Sequence, residues 1–327
     1  MSDEIPVIDI SGLSGGSMKA VEAVADGIAK ACRTVGFFYI SNHGVPLALQ
    51  KDIFEATKRF HSLPLEEKMK IKRNAGHRGY SPIAASKTIL SSRFEPAKTA
   101  NQREIFNIRH EVDESAPDYD PTVKLQGPNQ WPEDAWFKNI VSSYNAEMLR
   151  LGMSLLAPVS VALGKEPDFL EKFFAPPTTN LVLIHYPPAP QVQDGAFGIN
   201  PHTDYGFLTI LAQDDVGGLE VQGLSDEWID ATPIPNTFVI NIGDVLQRWT
   251  NDQFRSNAHK VINRNPTRDR YSVGFFFDPN MKTEVNPLQD VGGVSSSKSY
   301  ESFVFGDYFA NRLDTNYPLA GLKKETA

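Results

Sequence analysis

Two candidate metal ligands stand two residues apart in His202-Thr203-Asp204, and a third, His259, follows 55 residues after Asp204. Two imidazoles and one carboxylate can cover one face of a metal ion and leave the opposite face open. That donor set suits Fe(II) when several positions must exchange. Catalytic zinc is the rival metal and also takes three protein ligands. Zinc sites of that kind need a water-activating base beside the ligands, and no adjacent Glu presents itself here. Eleven residues after His259 comes Arg270-Tyr271-Ser272. A planar guanidinium and a hydroxyl on one strand face can hold the far carboxylate of a dicarboxylic co-substrate such as 2-oxoglutarate. The rival role for Arg270 is a structural ion pair with an internal Asp or Glu, since a buried unpaired charge is costly.

These residues need strands to aim them. Residues two apart on a strand share a face, so His202 with Asp204 and Arg270 with Ser272 can each point to one side. The second half of the chain supplies short apolar runs separated by Pro, Gly, Asn and Asp: Leu181–Tyr186, Phe207–Ala212, Leu219–Gln222, Thr237–Ile242, His259–Ile262 and Tyr271–Phe277. That pattern predicts an antiparallel β core. The first half is mixed. Ile5–Ile10 alternates as a short strand, and Lys19–Cys32 has helical spacing at Val21, Val24, Ile28 and Ala31. Phe37–Ile40 reads as a buried strand, Ala48–His61 as a second helix and Leu65–Ile71 as a short third. The stretch 73–132 reads as irregular, which in a compact protein marks a functional or disordered loop. Trp136–Gly164 reads as one long helix. Because Phe37–Ile40 needs strand partners, a single domain of helices buttressing a β core is favoured over two domains.

Hydrophobic residues make up 41% of the 327 and charged residues 22%, the balance of a globular protein. The net charge of −8 argues against nucleic-acid or anionic-membrane partners. Cys32 is the single cysteine, so no intrachain disulfide forms. There is no basic-then-apolar leader and no apolar run of about 18 residues. The expectation is a cytoplasmic protein acting on a small molecule, with a monomer compatible with the sequence.

Other residues receive plainer readings. His43 sits in a turn as a hydrogen-bonding residue, while His61, His77 and His110 read as surface or loop residues. His185 alternates away from Tyr186 and is not assigned as a ligand. Gly217-Gly218 reads as a hairpin turn and Gly243-Asp244 as another turn. Glu66-Glu67-Lys68-Met69-Lys70 reads as a solvated helix face. Tyr186, on the strand before the first ligand, is a second candidate contact for the co-substrate. Tyr205, Phe276, Phe106 and Tyr80 are candidate substrate contacts, with a packing role as the alternative for each.

The ordered set of motifs resembles the isopenicillin-N-synthase-like family of 2-oxoglutarate/Fe(II)-dependent dioxygenases. It comprises Ile5-Pro6-Val7-Ile8-Asp9, Gly36-Phe37-Phe38-Tyr39-Ile40, Asn42-His43-Gly44-Val45, Tyr186-Pro187-Pro188, His202-Thr203-Asp204-Tyr205-Gly206 and Gly217-Gly218-Leu219-Glu220-Val221. It continues through Asn241-Ile242-Gly243-Asp244, Ser256-Asn257-Ala258-His259-Lys260-Val261 and Arg270-Tyr271-Ser272. The resemblance implies an α+β chain with a mainly β core: a double-stranded β-helix, or jelly roll, over 178–290. It also implies an N-terminal helical and strand region with a substrate-side loop segment over 1–132, a buttressing helix over 133–164, and a C-terminal helix and tail over 295–327. His202, Asp204 and His259 would hold Fe(II), and Arg270 with Ser272 would hold 2-oxoglutarate. Many plant members carry Asn two residues before the Tyr-Pro, where this chain has Ile184.

The implied chemistry is oxidation of an unactivated C–H bond of a small, partly apolar molecule by Fe(II), 2-oxoglutarate and O2, with release of succinate and CO2. Hydroxylation is the first expectation, with desaturation or cyclisation as further outcomes. The alternatives are an iron oxidase that does not use 2-oxoglutarate, an ethylene-forming enzyme that fragments it, and a metal-free jelly-roll binding module.

Overall fold

The computed structural model describes residues 4–86, 94–113, 115, 119–120, 122–188 and 197–316. The expected tail beyond residue 316 lies outside them. The first third of the chain builds β1 (Val7–Asp9), α1 (Met18–Arg33), β2 (Phe37–Ser41), α2 (Leu47–His61), α3 (Leu65–Met69), β3 (Gly79–Ser81) and β4 (Glu104–Arg109). The long helix α4 (Ala135–Ala162) follows, with Asp134 accepting from the Phe137 amide at its start. Then come β5 (Thr178–Tyr186), β6 (Ile199–His202), β7 (Leu208–Gln213), β8 (Leu219–Gln222), β9 (Trp228–Asp230) and β10 (Thr237–Ile242). The short helix α5 (Asp244–Trp249), β11 (His259–Val261), β12 (Arg270–Asp278) and the C-terminal helix α6 (Phe305–Asn316) complete the set used below.

The main sheet has eight strands in the order β1-β2-β10-β7-β12-β5-β4-β3, and a second has four in the order β6-β11-β8-β9. β2 pairs with β1 on one side and β10 on the other, so the N-terminal region and the jelly roll share one sheet. The two sheets pack through Val182 and Ile184 against Leu219, Val221 and Val261. The other face of the main sheet is covered by helices. Ile28, Phe60, Phe137, Leu151 and Leu155 join Phe38, Ile40, Leu181, Leu183, Phe275 and Phe277 in the larger core. Among the described residues, no helix is long and apolar enough to cross a membrane.

Several expectations need correction. The 73–132 stretch is not wholly irregular, because β3 and β4 extend the main sheet at its edge. All six residues of β4 are buried. Its sequence, Glu-Ile-Phe-Asn-Ile-Arg, hides this because polar residues are buried on it as well. Gly217-Gly218 does not close a hairpin, since β7 and β8 belong to different sheets. Gly218 has φ +90, and a Cβ there would lie 2.1 Å from the Ile262 carbonyl oxygen, so glycine lets this crossing pass close to the strand. Asp244 opens helix α5, with Gly243 before it. His61 on α2 and Lys68 on α3 are buried rather than superficial, and His77 lies in a loop as expected but is buried there.

Lys68 is drawn inward by Glu104. The carboxylate accepts from Lys68 Nζ at 2.8 Å and from the Tyr80 hydroxyl, and it meets His185 Nδ1 at 2.7 Å. His185 also reaches Asp269 at 2.7 Å. This network joins α3, β3, β4 and β5 on the face of the sheet away from the second sheet. Burial works to raise the Glu104 carboxyl, but hydrogen bonds from His185, His61 and Lys68 outweigh it and hold the group well below the usual carboxylate range. Glu104→Ala leaves these donors facing a void and is expected to destabilise the fold by about 3–5 kcal/mol in denaturant titrations. A depressed carboxylate stabilises above its unfolded value and loses that effect as the pH falls. The stability gap between wild type and Glu104→Gln should therefore narrow progressively below pH 4.5.

Candidate active site

His202 ends β6 and His259 opens β11, and the two are direct partners across the second sheet. Their ring centroids are 4.3 Å apart. Asp204 follows in the turn leaving β6. Its Oδ1 lies 3.7 Å from His202 Nε2 and 3.7 Å from His259 Nε2. Each imidazole turns its other nitrogen to a backbone carbonyl two residues earlier: His202 Nδ1 to Asn200 at 2.8 Å and His259 Nδ1 to Asn257 at 3.4 Å. An Nδ1–H donated in this way leaves Nε2 with its lone pair directed inward, the form a metal requires. Burial, reinforced by His259 beside it, pushes the His202 imidazole down to about 3, so it is neutral at neutral pH.

The carboxylate is held as firmly. Asp204 Oδ2 accepts from the Thr209 hydroxyl at 2.6 Å and from Asn241 Nδ2 at 2.8 Å. Oδ2 is thereby occupied and Oδ1 is aimed between the imidazoles. Burial would raise this carboxyl, but the two imidazoles and these hydrogen bonds prevail and keep it below the ordinary range. Behind the turn, Asp244 accepts from Arg312 Nη2 at 2.7 Å, Ser256 Oγ at 2.9 Å and Thr203 Oγ1 at 3.2 Å. One half-buried carboxylate thus ties α5, α6, the ligand turn and the approach to β11. Gly206 closes the turn where a Cβ would meet Asp278 Oδ1 at 2.0 Å.

Arg270 is fully buried on β12. Its Nε donates to the Gly217 carbonyl at 2.6 Å, Nη1 to Ser272 Oγ at 3.3 Å and Nη2 to Gln213 Oε1 at 3.4 Å. The guanidinium lies 4.7 Å over the Tyr186 ring. Every one of these acceptors is neutral, and no carboxylate among the described residues pairs with it. The structural ion pair considered for Arg270 is therefore not what this face provides, and a buried cation in a neutral shell fits a dicarboxylate that brings its own anion.

The three potential ligands, Arg270, Ser272 and Tyr186 border one cavity of about 1080 Å³, its open mouth included. Tyr205 and Phe276 also border it, and Ile184 contributes an apolar wall. Tyr80 and Phe106 do not. Alternation puts both on the helix side, where Phe106 packs on Phe60 and Phe137 and Tyr80 reaches Glu104. The expected contact of these two with substrate is not met, because the strand carrying Phe106 turns its odd-numbered residues to the cavity. Thr209 and Asn241 were missed by spacing arguments, although Asn241 stands in a motif quoted above. His61, Glu104 and His185 also bring ligand atoms within 4.8 Å of one another. There the Lys68 ammonium already occupies the carboxylate, which disfavours a metal.

Comparison with known proteins agrees with this geometry. Residues 177–279 match the model of the 2OG-Fe(II) oxygenase superfamily, and residues 5–134 match that of the non-haem dioxygenase in morphine synthesis N-terminal region. The 2-oxoglutarate-dependent dioxygenase citB of Monascus ruber is 36% identical over 330 residues, covering 96% of each chain. A homoarginine-6-hydroxylase of Glycine max is 35% identical over 332 residues, covering 96% of this chain and 97% of its own. A full-length Neurospora crassa protein, solved in complex with alpha-KG and thymine, superposes with a TM-score of 0.80 at 28% identity, covering 94% of this chain and 96% of that one.

Thr209→Val and Asn241→Ala each remove one hydrogen bond from Asp204 Oδ2. Each is expected to weaken Fe(II) binding by about 10-fold to 100-fold in anaerobic titrations, without loss of the folded state.

Proposed function

The chain belongs to the 2OG-Fe(II) oxygenase superfamily, and we propose that it oxidises an unactivated C–H bond of a small, partly apolar molecule, hydroxylation being the main outcome. His202, Asp204 and His259 hold Fe(II). Arg270 and Ser272 hold the far carboxylate of 2-oxoglutarate, with Tyr186 under the guanidinium. When bound, Fe(II) with 2-oxoglutarate and O2 supplies the oxidising power for C–H cleavage, and succinate and CO2 are released.

The chain's own part is placement. Asn200 and Asn257 carbonyls fix the imidazole tautomers, and Thr209 with Asn241 fixes the carboxylate. Arg270 would orient the co-substrate by its far carboxylate within the cavity that His202, Asp204 and His259 also border. Tyr205 and Phe276 border the remaining space, where an apolar body displaces water and is held close to the reacting centre. No acid–base pair is required of the protein. The observation that carries the reading is the convergence of two Nε2 atoms and one Oδ1 beside a buried guanidinium whose acceptors are all neutral.

The test is anaerobic addition of Fe(II) and then 2-oxoglutarate, followed by the visible charge-transfer absorption of the chelate. Wild type should develop the band and His202→Ala should not. Arg270→Met should weaken 2-oxoglutarate binding by at least about 2 kcal/mol, roughly 30-fold, while Fe(II) still binds. Iron binding without the band would favour an oxidase that does not use 2-oxoglutarate.

A further inference from the structure

The cavity wall carries two polar groups that the metal and co-substrate sites leave unused. Among the described residues, buried side-chain oxygens without a hydrogen-bond partner occur on Asn107, Tyr144, Asn145, Asn180, Gln222 and Gln253. Of these, Asn107 and Asn180 border the catalytic cavity and the other four do not. Asn107 is only 3% exposed. A buried carbonyl oxygen without a donor costs free energy. Two of them side by side in a ligand-sized space point to a molecule that brings the donor with it.

Strand register fixes where they stand. In the pairing of β4 with β5, Asn107 lies opposite Val182 and Asn180 opposite Arg109. The two asparagines are therefore diagonal neighbours on one sheet face, about 7–8 Å apart along the backbone, so one small group can meet both side chains. Across the sheet, Asn241, Thr209, Phe276 and Asn180 form a single row. Asn241 and Thr209 hold Asp204. Asn180 stands two strands beyond Thr209, on the order of 10 Å at ordinary strand spacing. In the next row Gly274 lies between Leu211 and Val182 and adds no side chain to the floor. Arg270 and Ser272 stand on the other side of Gly274 from Phe276 along β12. A molecule anchored on the asparagines thus extends past Phe276 towards the metal ligands without crossing the co-substrate anchor.

The donor is neutral. A protonated amine would need a carboxylate, and Asp204, the one carboxylate among the described lining residues, is committed to the metal ligand set. An asparagine side chain presents a carbonyl acceptor and an N–H donor, and a ligand amide presents the complement of both. The two match whichever way the asparagine amide is turned. We propose that the substrate carries an amide N–H, which docks on Asn107 and Asn180 while an apolar body lies along Val182 and Phe276. This rests on the oxygenase reading and narrows it to amide-bearing substrates, with Asn107 and Asn180 as the specificity-determining residues.

The test is equilibrium dialysis of three pairs that differ by N–H against O: 2-quinolone with coumarin, 3,4-dihydro-2-quinolone with 3,4-dihydrocoumarin, and N-methyl-4-phenylbutanamide with methyl 4-phenylbutanoate. It uses anaerobic protein carrying Fe(II) and 2-oxoglutarate, so nothing turns over. The N–H compounds should bind at least about 10-fold more tightly than their partners, a difference of about 1.4 kcal/mol. Asn107→Leu and Asn180→Leu should each erase most of that preference, with the lactones and the ester bound at least as tightly as before. Leu fills a similar volume without an orphaned oxygen, so neither variant should lower the denaturation midpoint. Equal binding within the pairs would overturn the proposal. So would a preference that survives both Leu variants, or no measurable binding of any N–H compound. A lowered midpoint with the preference intact would mark the asparagines as structural only and would also overturn it. The wild-type comparison stands alone if a variant fails to fold. The charge-transfer band is recorded first on the same samples. A band without N–H preference counts against this inference alone. An absent band counts against the co-substrate assignment alone, and the N–H preference of that protein is still scored.

Discussion

Everything in this structure answers to the burial of charges left incomplete by the protein itself. Asp204 and Arg270 both lie in the space between the sheets, neither with a permanently charged salt-bridge partner among the described residues to make such burial tolerable. The fold compensates Asp204 with a hydroxyl from β7, an amide from β10 and two imidazoles from β6 and β11. It compensates Arg270 with a carbonyl, a hydroxyl and an amide oxygen. Neither set is complete without a cation at one end and an anion at the other. The remaining stability comes from the two apolar layers, which must be large enough to carry this deficit.

Strand alternation keeps the two kinds of chemistry apart. On β5, Ile184 and Tyr186 face the cavity while His185 faces the helices. On β4, Glu104 faces the helix-side network while Ile105, and Arg103 just before the strand, border the cavity. Tyr271 stacks on His185 between Arg270 and Ser272, which point the other way. A slip of one residue in the register of β4, β5 or β12 would exchange these sets. The buried Glu104 network holds β4 and β5 together on the side where a slip would cost most, so it acts on the site without touching it.

Part of what the sequence revealed follows from the same alternation. Arg270 and Ser272 were legible because two-residue spacing on a strand fixes a shared face, whereas His202 and Asp204 were legible from residue type and spacing although Asp204 lies in the turn after β6 and not on a strand. Phe276 was placed at the cavity by alternation from Ser272, and Tyr205 only because it follows the carboxylate ligand. Phe106 and Tyr80 went to the wrong side because β4 and β3, which carry them, were not seen as strands, leaving their phases unassigned. The same omission concealed Arg103, Asn107 and Arg109. Lys68 sits in a charged run that looks solvated, and its burial depends on Glu104, 36 residues further along the chain. No local pattern carries that information. Thr209 and Asn241 have roles set by where three separate strands bring them, which spacing along one strand cannot express.

The central claim is that the metal and the co-substrate complete these two buried charges. The most direct measurement is an anaerobic crystal structure with Mn(II) as a redox-inert stand-in for Fe(II) and with 2-oxoglutarate. The account predicts metal bonded to His202 Nε2, His259 Nε2 and an Asp204 oxygen, and the far carboxylate of 2-oxoglutarate on Arg270 and Ser272. Metal at His61, Glu104 and His185 instead, or a co-substrate carboxylate on Arg103 with Arg270 left in its neutral shell, would contradict it.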